Sequence, residues 1–142
     1  MNRIKIGRKM IFNVVLLLGI GMMCVGCGKT AEPEDKGKEL EYTVVADKEV
    51  PEELKSKLEE RKMEPFKVTF ADRGYIYICV GYGEQKTGGY SIGVKELYEA
   101  DNAIYVDTIL TGPTTEEAKN SGKSYPYIVI KTEYQEKAVV FE

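Results

Sequence analysis

The feature that most constrains the fold is a two-residue apolar alternation that begins at Phe66 and continues almost to the end of the chain. In the segment FKVTFA, Phe66, Val68 and Phe70 share one face, as in a strand with one buried side. Similar segments follow, and turns rich in Gly, Asp or Asn separate them. This pattern is typical of antiparallel strands that follow one another in hairpin order.

The segment YIYICVGY has no polar face, so it is predicted to be a central strand. One face carries Ile76, Ile78 and Val80, and the other carries Tyr75, Tyr77 and Cys79. A cysteine in such a strand is usually a small buried apolar residue. The alternative is a reactive or intermolecular thiol.

One helix is predicted at about residues 51–62, where Val50, Leu54 and Leu58 recur every four residues. Pro51 suits the first helical position, and Pro65 ends the pattern. The segments YPYIVIKT and KAVVFE are expected to form a last hairpin around residues 133–135. The predicted fold is mainly β (α+β): an antiparallel β-sandwich or rolled sheet of about seven strands with one short N-terminal helix.

The N-terminus has the layout of a secretory signal. Four basic residues precede an apolar run from Met10 to Gly26. The run ends in Gly26-Cys27, which resembles a bacterial lipoprotein box, although Cys24 stands where the pattern prefers an aliphatic residue. The resemblance implies cleavage before Cys27, a diacylglycerol on its sulfur and often a further acyl chain such as palmitate on its amine. The alternative is an uncleaved N-terminal membrane helix.

The expected organisation is a signal peptide (residues 1–26), a flexible tether (27–40) and a β domain (41–142). Lipidation of Cys27 would anchor the protein in the bacterial cell envelope. The site would be the outer face of the cytoplasmic membrane, or the outer membrane in a bacterium with two. Without its signal the chain has 16 basic and 23 acidic residues, a net charge of −7. Because like charges repel, we expect no nucleic-acid partner.

The composition argues against several kinds of active site. The chain has no histidine, which excludes Ser-His and Cys-His nucleophile pairs and removes the commonest zinc ligand. If Cys27 is lipidated, Cys79 is the only thiol left. We therefore predict no catalytic residues, no metal site and no cofactor, and expect the protein not to be an enzyme. A paired-carboxylate glycosidase and a small-ligand sensor stay open as less favoured alternatives.

Two connections are longer or more glycine-rich than their strands need: residues 81–89, here the glycine loop, and residues 111–124, here the proline loop. The sequences GEQKTGGYSIGV and SYPYIVIK resemble the C-terminal domain of PrcB-type proteins over roughly residues 66–132. The first motif lies on Gly83, Thr87, Gly88, Gly89, Tyr90, Ser91 and Ile92, and the second on Gly112, Pro113, Tyr125, Pro126 and Tyr127. Gln85-Lys86 stands where the family has Lys-Pro.

The resemblance implies a lipoprotein or exported accessory subunit of a cell-surface protease complex. The expected partner is an exported or surface protein, such as a protease. The candidate protein-binding residues are Lys86, Thr87, Gly88, Gly89, Tyr90, Pro113, Tyr125, Pro126 and Tyr127.

Two other interpretations of the loops stay open. The Thr-Gly-Gly-Tyr core is similar, over a few residues, to a loop of chagasin-type protease inhibitors, which would insert the Lys86–Gly88 tip into a protease cleft. The glycines and Tyr-Pro-Tyr would otherwise serve backbone geometry alone. Whether the two loops converge depends on the fold.

Overall fold

The computed structural model describes residues 37–119 and 121–142, so the predicted signal peptide and Cys27 lie outside the described residues. Within these ranges, no helix has both the length and the apolar character that crossing a membrane requires. The elements in chain order are β1 (Lys38–Glu39), β2 (Tyr42–Val44), a short 3₁₀ helix (Asp47–Glu49), α1 (Glu52–Arg61), β3 (Pro65–Asp72), β4 (Tyr75–Tyr82), β5 (Ser91–Glu99), β6 (Ala103–Thr111), α2 (Thr115–Lys119), β7 (Tyr127–Glu133) and β8 (Ala138–Phe141).

The strands form two four-stranded sheets. Sheet I has the order β1-β5-β6-β8, and sheet II has the order β2-β7-β4-β3. Every pair is antiparallel except β6 and β8, which run parallel. The predicted mainly β fold is therefore confirmed, and of the two predicted alternatives, a sandwich and a rolled sheet, the structure has the sandwich.

The main core lies between the two sheets. Ile78 and Ile130 contribute from sheet II, and Ile104 and Val106 contribute from sheet I. All four are essentially inaccessible to solvent. Alternation along each strand turns these side chains inward, and their burial drives the sheets together.

A second core lies on the other face of sheet II, beneath α1. The predicted stripe is confirmed, because Leu54 and Leu58 of α1 pack with Cys79 and Val129 of the sheet. Cys79 is fully buried, as expected of a packing residue. Pro51 is the N-cap of α1 rather than its first helical residue, with an extended ψ of 136°.

β4 is central in sheet II, as predicted, between β3 and β7. The β3–β4 hairpin turns at Arg73 and Gly74, whose φ values of 49° and 82° suit a tight two-residue connection. β5 and β6 form the other predicted hairpin, with a register shift between Val94 and Glu96 that marks a β-bulge.

The predicted last hairpin is wrong. β7 pairs with β2 on one side and β4 on the other, so neither of its edges is open to β8. The chain instead crosses to sheet I, where β8 adds parallel to β6 from Ala103↔Ala138 to Val106↔Phe141. Lys137 fixes this crossing, because its ammonium donates to the carbonyl of Ala100 at 2.8 Å.

Hairpin order also fails between β4 and β5, which lie in different sheets. The count of about seven strands missed β1, which lies in the segment assigned to the tether. Lys38 and Glu39 pair with β5, and Leu40 is buried in the main core. The proline loop contains a helix, α2, where the sequence predicted only a loop.

Candidate functional site

The topology brings the two loops to the same end of the sandwich. In the structure the glycine loop spans residues 83–90 and connects β4 to β5, and the proline loop spans residues 112–119 and 121–126 and connects β6 to β7. Gly81 of β4 pairs with Tyr127 of β7, and Ser91 of β5 pairs with Thr111 of β6. Both loops therefore leave sheets I and II at adjacent points, and they converge.

A backbone bridge joins the two loops. The Gln85 amide donates to the Ser124 carbonyl at 2.8 Å, and the Ser124 amide donates back to the Gln85 carbonyl at 3.1 Å. The Ser124 hydroxyl also donates to the carbonyl of Thr87 at 2.6 Å. Three bonds from one serine position hold the middle of the glycine loop in a fixed direction.

Gly88 and Gly89 fit against the proline loop. The Gly88 amide donates to the Ser121 hydroxyl at 2.9 Å. Gly89 has a φ of +79°, and a Cβ built there would lie 2.7 Å from the Cβ of Pro113 and 3.0 Å from that of Glu117. Glycine is needed at position 89 for its conformation and also for this close approach.

The bases of the loops rest on the strand ends. A Cβ on Gly112 would be in ordinary contact, at 3.7 Å, with the ring of Tyr90. Pro126 lies just before β7, where its carbonyl accepts the Tyr82 amide at 3.0 Å. The Gln85 side chain donates to the Tyr82 carbonyl at 3.1 Å. These contacts join the first motif to the second at the rim of the core.

α2 begins with a capping box. The Thr114 amide donates to the Glu117 carboxylate at 2.8 Å, and the Glu117 amide donates to the Thr114 hydroxyl oxygen at 3.4 Å. The bond from the Thr114 amide holds the pKa of Glu117 below its ordinary value. The Thr-x-x-Glu spacing at residues 114–117 was readable in the sequence and could have revealed this helix.

An exposed charge cluster joins the loops on one side. The Lys123 ammonium lies 2.7 Å from the Glu84 carboxylate, and the Tyr125 hydroxyl donates to the same carboxylate at 3.2 Å. The hydrogen bond from Lys123, and secondarily that from Tyr125, lowers the pKa of Glu84. The Lys62 ammonium lies 5.7 Å from the centroid of the Tyr125 ring, a cation–π contact.

Lys86 and Thr87 differ in accessibility. Lys86 is exposed, and its ammonium has no hydrogen bond or ion pair within the described part of the chain. Thr87 is half-buried, and its carbonyl is engaged by Ser124. The tip of the glycine loop therefore presents one free cation on a braced backbone.

Tyr127 lines the same cleft as Tyr90 and Pro126, but its own packing contacts are with the second core. Its ring packs in the core beneath α1, with its centroid 6.3 Å from that of Phe66. Its hydroxyl donates to the Asp47 carboxylate at 2.7 Å. Burial, reinforced by this bond, raises the pKa of Tyr127 above its ordinary value. The structure gives this tyrosine a packing role, attaching the 3₁₀ helix to sheet II.

The described residues include one free thiol, that of Cys79, and it is buried. They contain no group of three or more His, Cys, Asp or Glu side chains placed to hold a metal ion. Burial raises the pKa of the Cys79 thiol to about 12, so the thiol stays protonated at neutral pH and is a poor nucleophile. What the convergent loops provide is a shaped polar surface.

Three residues of this arrangement were not predicted from the sequence: Gln85, Ser121 and Ser124. Their role depends on the two loops meeting, which no local sequence pattern indicates. The closest signal was Gln85 itself, which departs from the motif that this stretch of the sequence resembles.

Comparison with known proteins gives one match. Residues 76–133 match the family model described as PrcB C-terminal. No curated protein and no solved structure was found to match the chain. The matched stretch runs from β4 to the end of β7 and includes both loops. It is not a known catalytic family. Together, the match and the two sequence motifs show that this chain carries a domain of the PrcB C-terminal family.

Proposed function

We propose that the protein is a lipid-anchored extracytoplasmic accessory module, which binds another exported or surface protein and helps to stabilise or assemble a cell-surface protease complex. The observation that carries this proposal is the interlocking of the two loops through Gln85, Thr87 and Ser124. A surface whose shape is fixed before binding loses less conformational entropy when a partner docks. The family match supports the accessory character of the domain.

The loop surface has the chemistry of a protein-binding rim. Lys86 projects from the glycine loop, and Glu116 and Lys119 are exposed on α2 of the proline loop. Both signs of charge occur close together, which suits recognition of a specific protein surface. Braced loops on a rigid sandwich are a common way for β domains to bind partners.

The anchor in this proposal is the lipid on Cys27, in the cell envelope. The basic residues, the apolar run and Gly26-Cys27 are its support. Residues after Cys27 would carry the β domain above the membrane, within reach of exported proteins. A Cys27→Ser variant is expected to lose lipidation and to leave the membrane fraction. Unchanged processing and mass in that variant would contradict the anchor.

The inhibitor alternative receives less support from the geometry. An inserting tip would need Thr87 and its backbone to be available to the target cleft. Thr87 is half-buried, and Ser124 already uses its carbonyl. A panel of cysteine and serine proteases tests this alternative, and inhibition at micromolar protein would favour it over the docking surface.

The proposed function is tested by crosslinking and capture from cell envelopes, with Lys86→Glu as the variant. Lys38→Glu is the matched control, since Lys38 is also exposed but lies in β1, beside Glu99 at the opposite end of β5 from the loops. Reversal of one interface charge is expected to weaken recovery of the partner about fivefold. The control should recover the partner as the wild type does.

Two results would count against the proposal. One is recovery of no specific protein by the wild type, even after crosslinking. The other is a partner whose recovery falls equally with both variants, because the loss would then follow net charge rather than the loop surface.

A further inference from the structure

Sheet I is incomplete along one edge. β1 pairs with β5 only at Glu99 and Tyr98, and the Leu40 amide makes one further bond to the Leu97 carbonyl at 3.0 Å. The chain then crosses to sheet II and forms β2. Within the described residues, no strand lies beside residues 91–95 of β5 on that side. Their outward amides and carbonyls form an open strand edge.

Two side chains of β2 lie on the inner face of sheet II but are not covered by sheet I. Tyr42 pairs with Thr132 and Val44 with Ile130, and paired residues point to the same face of a sheet. Thr132 and Ile130 are buried on the inner face, yet Tyr42 is 41% exposed and Val44 is 54% exposed. Inner-face residues are exposed here because β1 ends before it can cover them.

A cleft opens at this point. It has a volume of about 320 Å³, and its lining includes Val44, Ile92, Ile128, Tyr90 and Pro126. A cavity of ~150 Å³ can hold a benzene ring, so the cleft has room for two apolar side chains. Tyr90 and Pro126 also form the bases of the two loops, which makes the cleft continuous with the proposed binding surface.

We infer that an extended segment of the protein partner adds to the open edge of β5, in line with β1 and antiparallel to β5. Its backbone would bond to residues 91–94, which precede the bulge at Val94/Glu96. Every second side chain would enter the cleft against Val44 and Ile92. This inference rests on the proposed function and names the partner's chemistry: a short strand with apolar residues at alternate positions.

The geometry argues against two other occupants. The chain's own residues 29–36 read KTAEPEDK, which has no apolar alternation and contains Pro33. They also join the domain at Gly37, next to Glu99, at the far end of β5. A second copy of β5 is disfavoured because the bulge at Val94/Glu96 interrupts the edge, a device that prevents long edge-to-edge pairing.

The test uses the purified full-length chain in detergent and a synthetic peptide with the sequence Lys-Val-Thr-Val-Thr-Lys, acetylated and amidated. The control peptide has proline in place of the second valine, which removes one backbone donor. Hydrogen exchange of the amides of residues 91–94 is followed with and without peptide. We expect the first peptide to slow exchange at the open edge about tenfold at saturation, the equivalent of ~1.4 kcal/mol.

Variants place the binding at the cleft. Val44→Glu should abolish the protection, because a carboxylate would then face the apolar side chains of the peptide. Val140→Glu is the matched control, an exposed valine in β8 at the opposite edge of sheet I, and should leave protection unchanged.

The inference would be overturned by no protection at millimolar peptide, by equal protection from the proline peptide, or by equal loss of protection in the two variants. Protection that rises with protein concentration in the absence of peptide would show a second copy at the edge, and would also overturn it. If the peptide does not bind but capture of the partner still depends on Lys86, only this inference is wrong and the proposed function stands. Failure of that capture would remove the proposed function.

Discussion

Different forces hold α1 and the two loops, all of which lie outside the sheets. α1 is held by burial, because Leu54 and Leu58 are inaccessible beneath it. The two loops are held by hydrogen bonds among half-buried and exposed groups, chiefly from Ser121 and Ser124. Burial of a large aliphatic side chain stabilises by ~1.5–3 kcal/mol, whereas a hydrogen bond contributes ~1 kcal/mol but fixes a direction. α1 therefore supports stability, and the loop contacts define shape.

The largest expected effect is on the side of α1. Leu58→Ala removes a fully buried side chain from the second core and leaves a cavity between α1 and sheet II. We expect the free energy of unfolding to fall by about 3 kcal/mol. Urea denaturation measures it, with Met63→Ala as the control, because Met63 is 62% exposed and should change stability little. Equal effects of the two changes would show that α1 is not held by burial.

The next effect lies where the loops approach most closely. Gly89→Ala would place a methyl group 2.7 Å from Pro113 and would force alanine to a φ of +79°. We expect a loss of about 2 kcal/mol and faster hydrogen exchange in both loops. Gly122→Ala is the control, since no atom lies within 4 Å of its added Cβ. A stability change confined to the loops, with the sheets protected as before, would sharpen the contrast with Leu58→Ala.

A smaller effect is expected from one hydrogen bond. Ser124→Ala removes the hydroxyl that donates to the Thr87 carbonyl but keeps the backbone bridge to Gln85. The expected loss is about 1 kcal/mol, seen as faster exchange and broader signals in the glycine loop. Ser91→Ala, at an exposed position, should have no such effect. If exchange in the glycine loop is unchanged, the backbone bridge alone holds it.

The sequence predicted the features that depend on local periodicity. The two-residue alternation placed β3 and β4, and the four-residue spacing of Leu54 and Leu58 placed the buried face of α1. The same alternation identified Cys79 as buried in the central strand. Each of these follows from which side of one element is apolar, and the prediction needs no knowledge of neighbouring elements.

Features that depend on which strands pair with each other were not predictable from the sequence. β8 pairs with β6 because both edges of β7 are already paired. The sequence KAVVFE does not indicate which strand it will pair with. The bridge between Gln85 and Ser124 depends in turn on β4 and β5 lying in different sheets. The candidate site was therefore found by family resemblance, while its bracing by Ser121 and Ser124 needed the structure.

The smallest expected effect concerns the exposed Glu84–Lys123 pair beside the loop bridge. Its hydrogen bonds lower the pKa of Glu84 below the ordinary value of 4.5. A lowered folded-state pKa means that the contribution of Glu84 to loop stability is present above pH 4.5 and is lost as the pH falls through the folded value. Loop hydrogen exchange, corrected for intrinsic rates, should rise in the wild type relative to Glu84→Gln across that window.

Solvent screening keeps this effect weaker than that of Ser124→Ala, and added salt should reduce it further. Glu60→Gln is the control, because Glu60 is exposed on α1 and belongs to neither loop. If the difference in loop hydrogen exchange between the wild type and Glu84→Gln stays constant from neutral pH to pH 3, the carboxylate does not brace the loops. The bracing would then be attributable to the serine and backbone bonds, and the surface charges would be free to serve the partner.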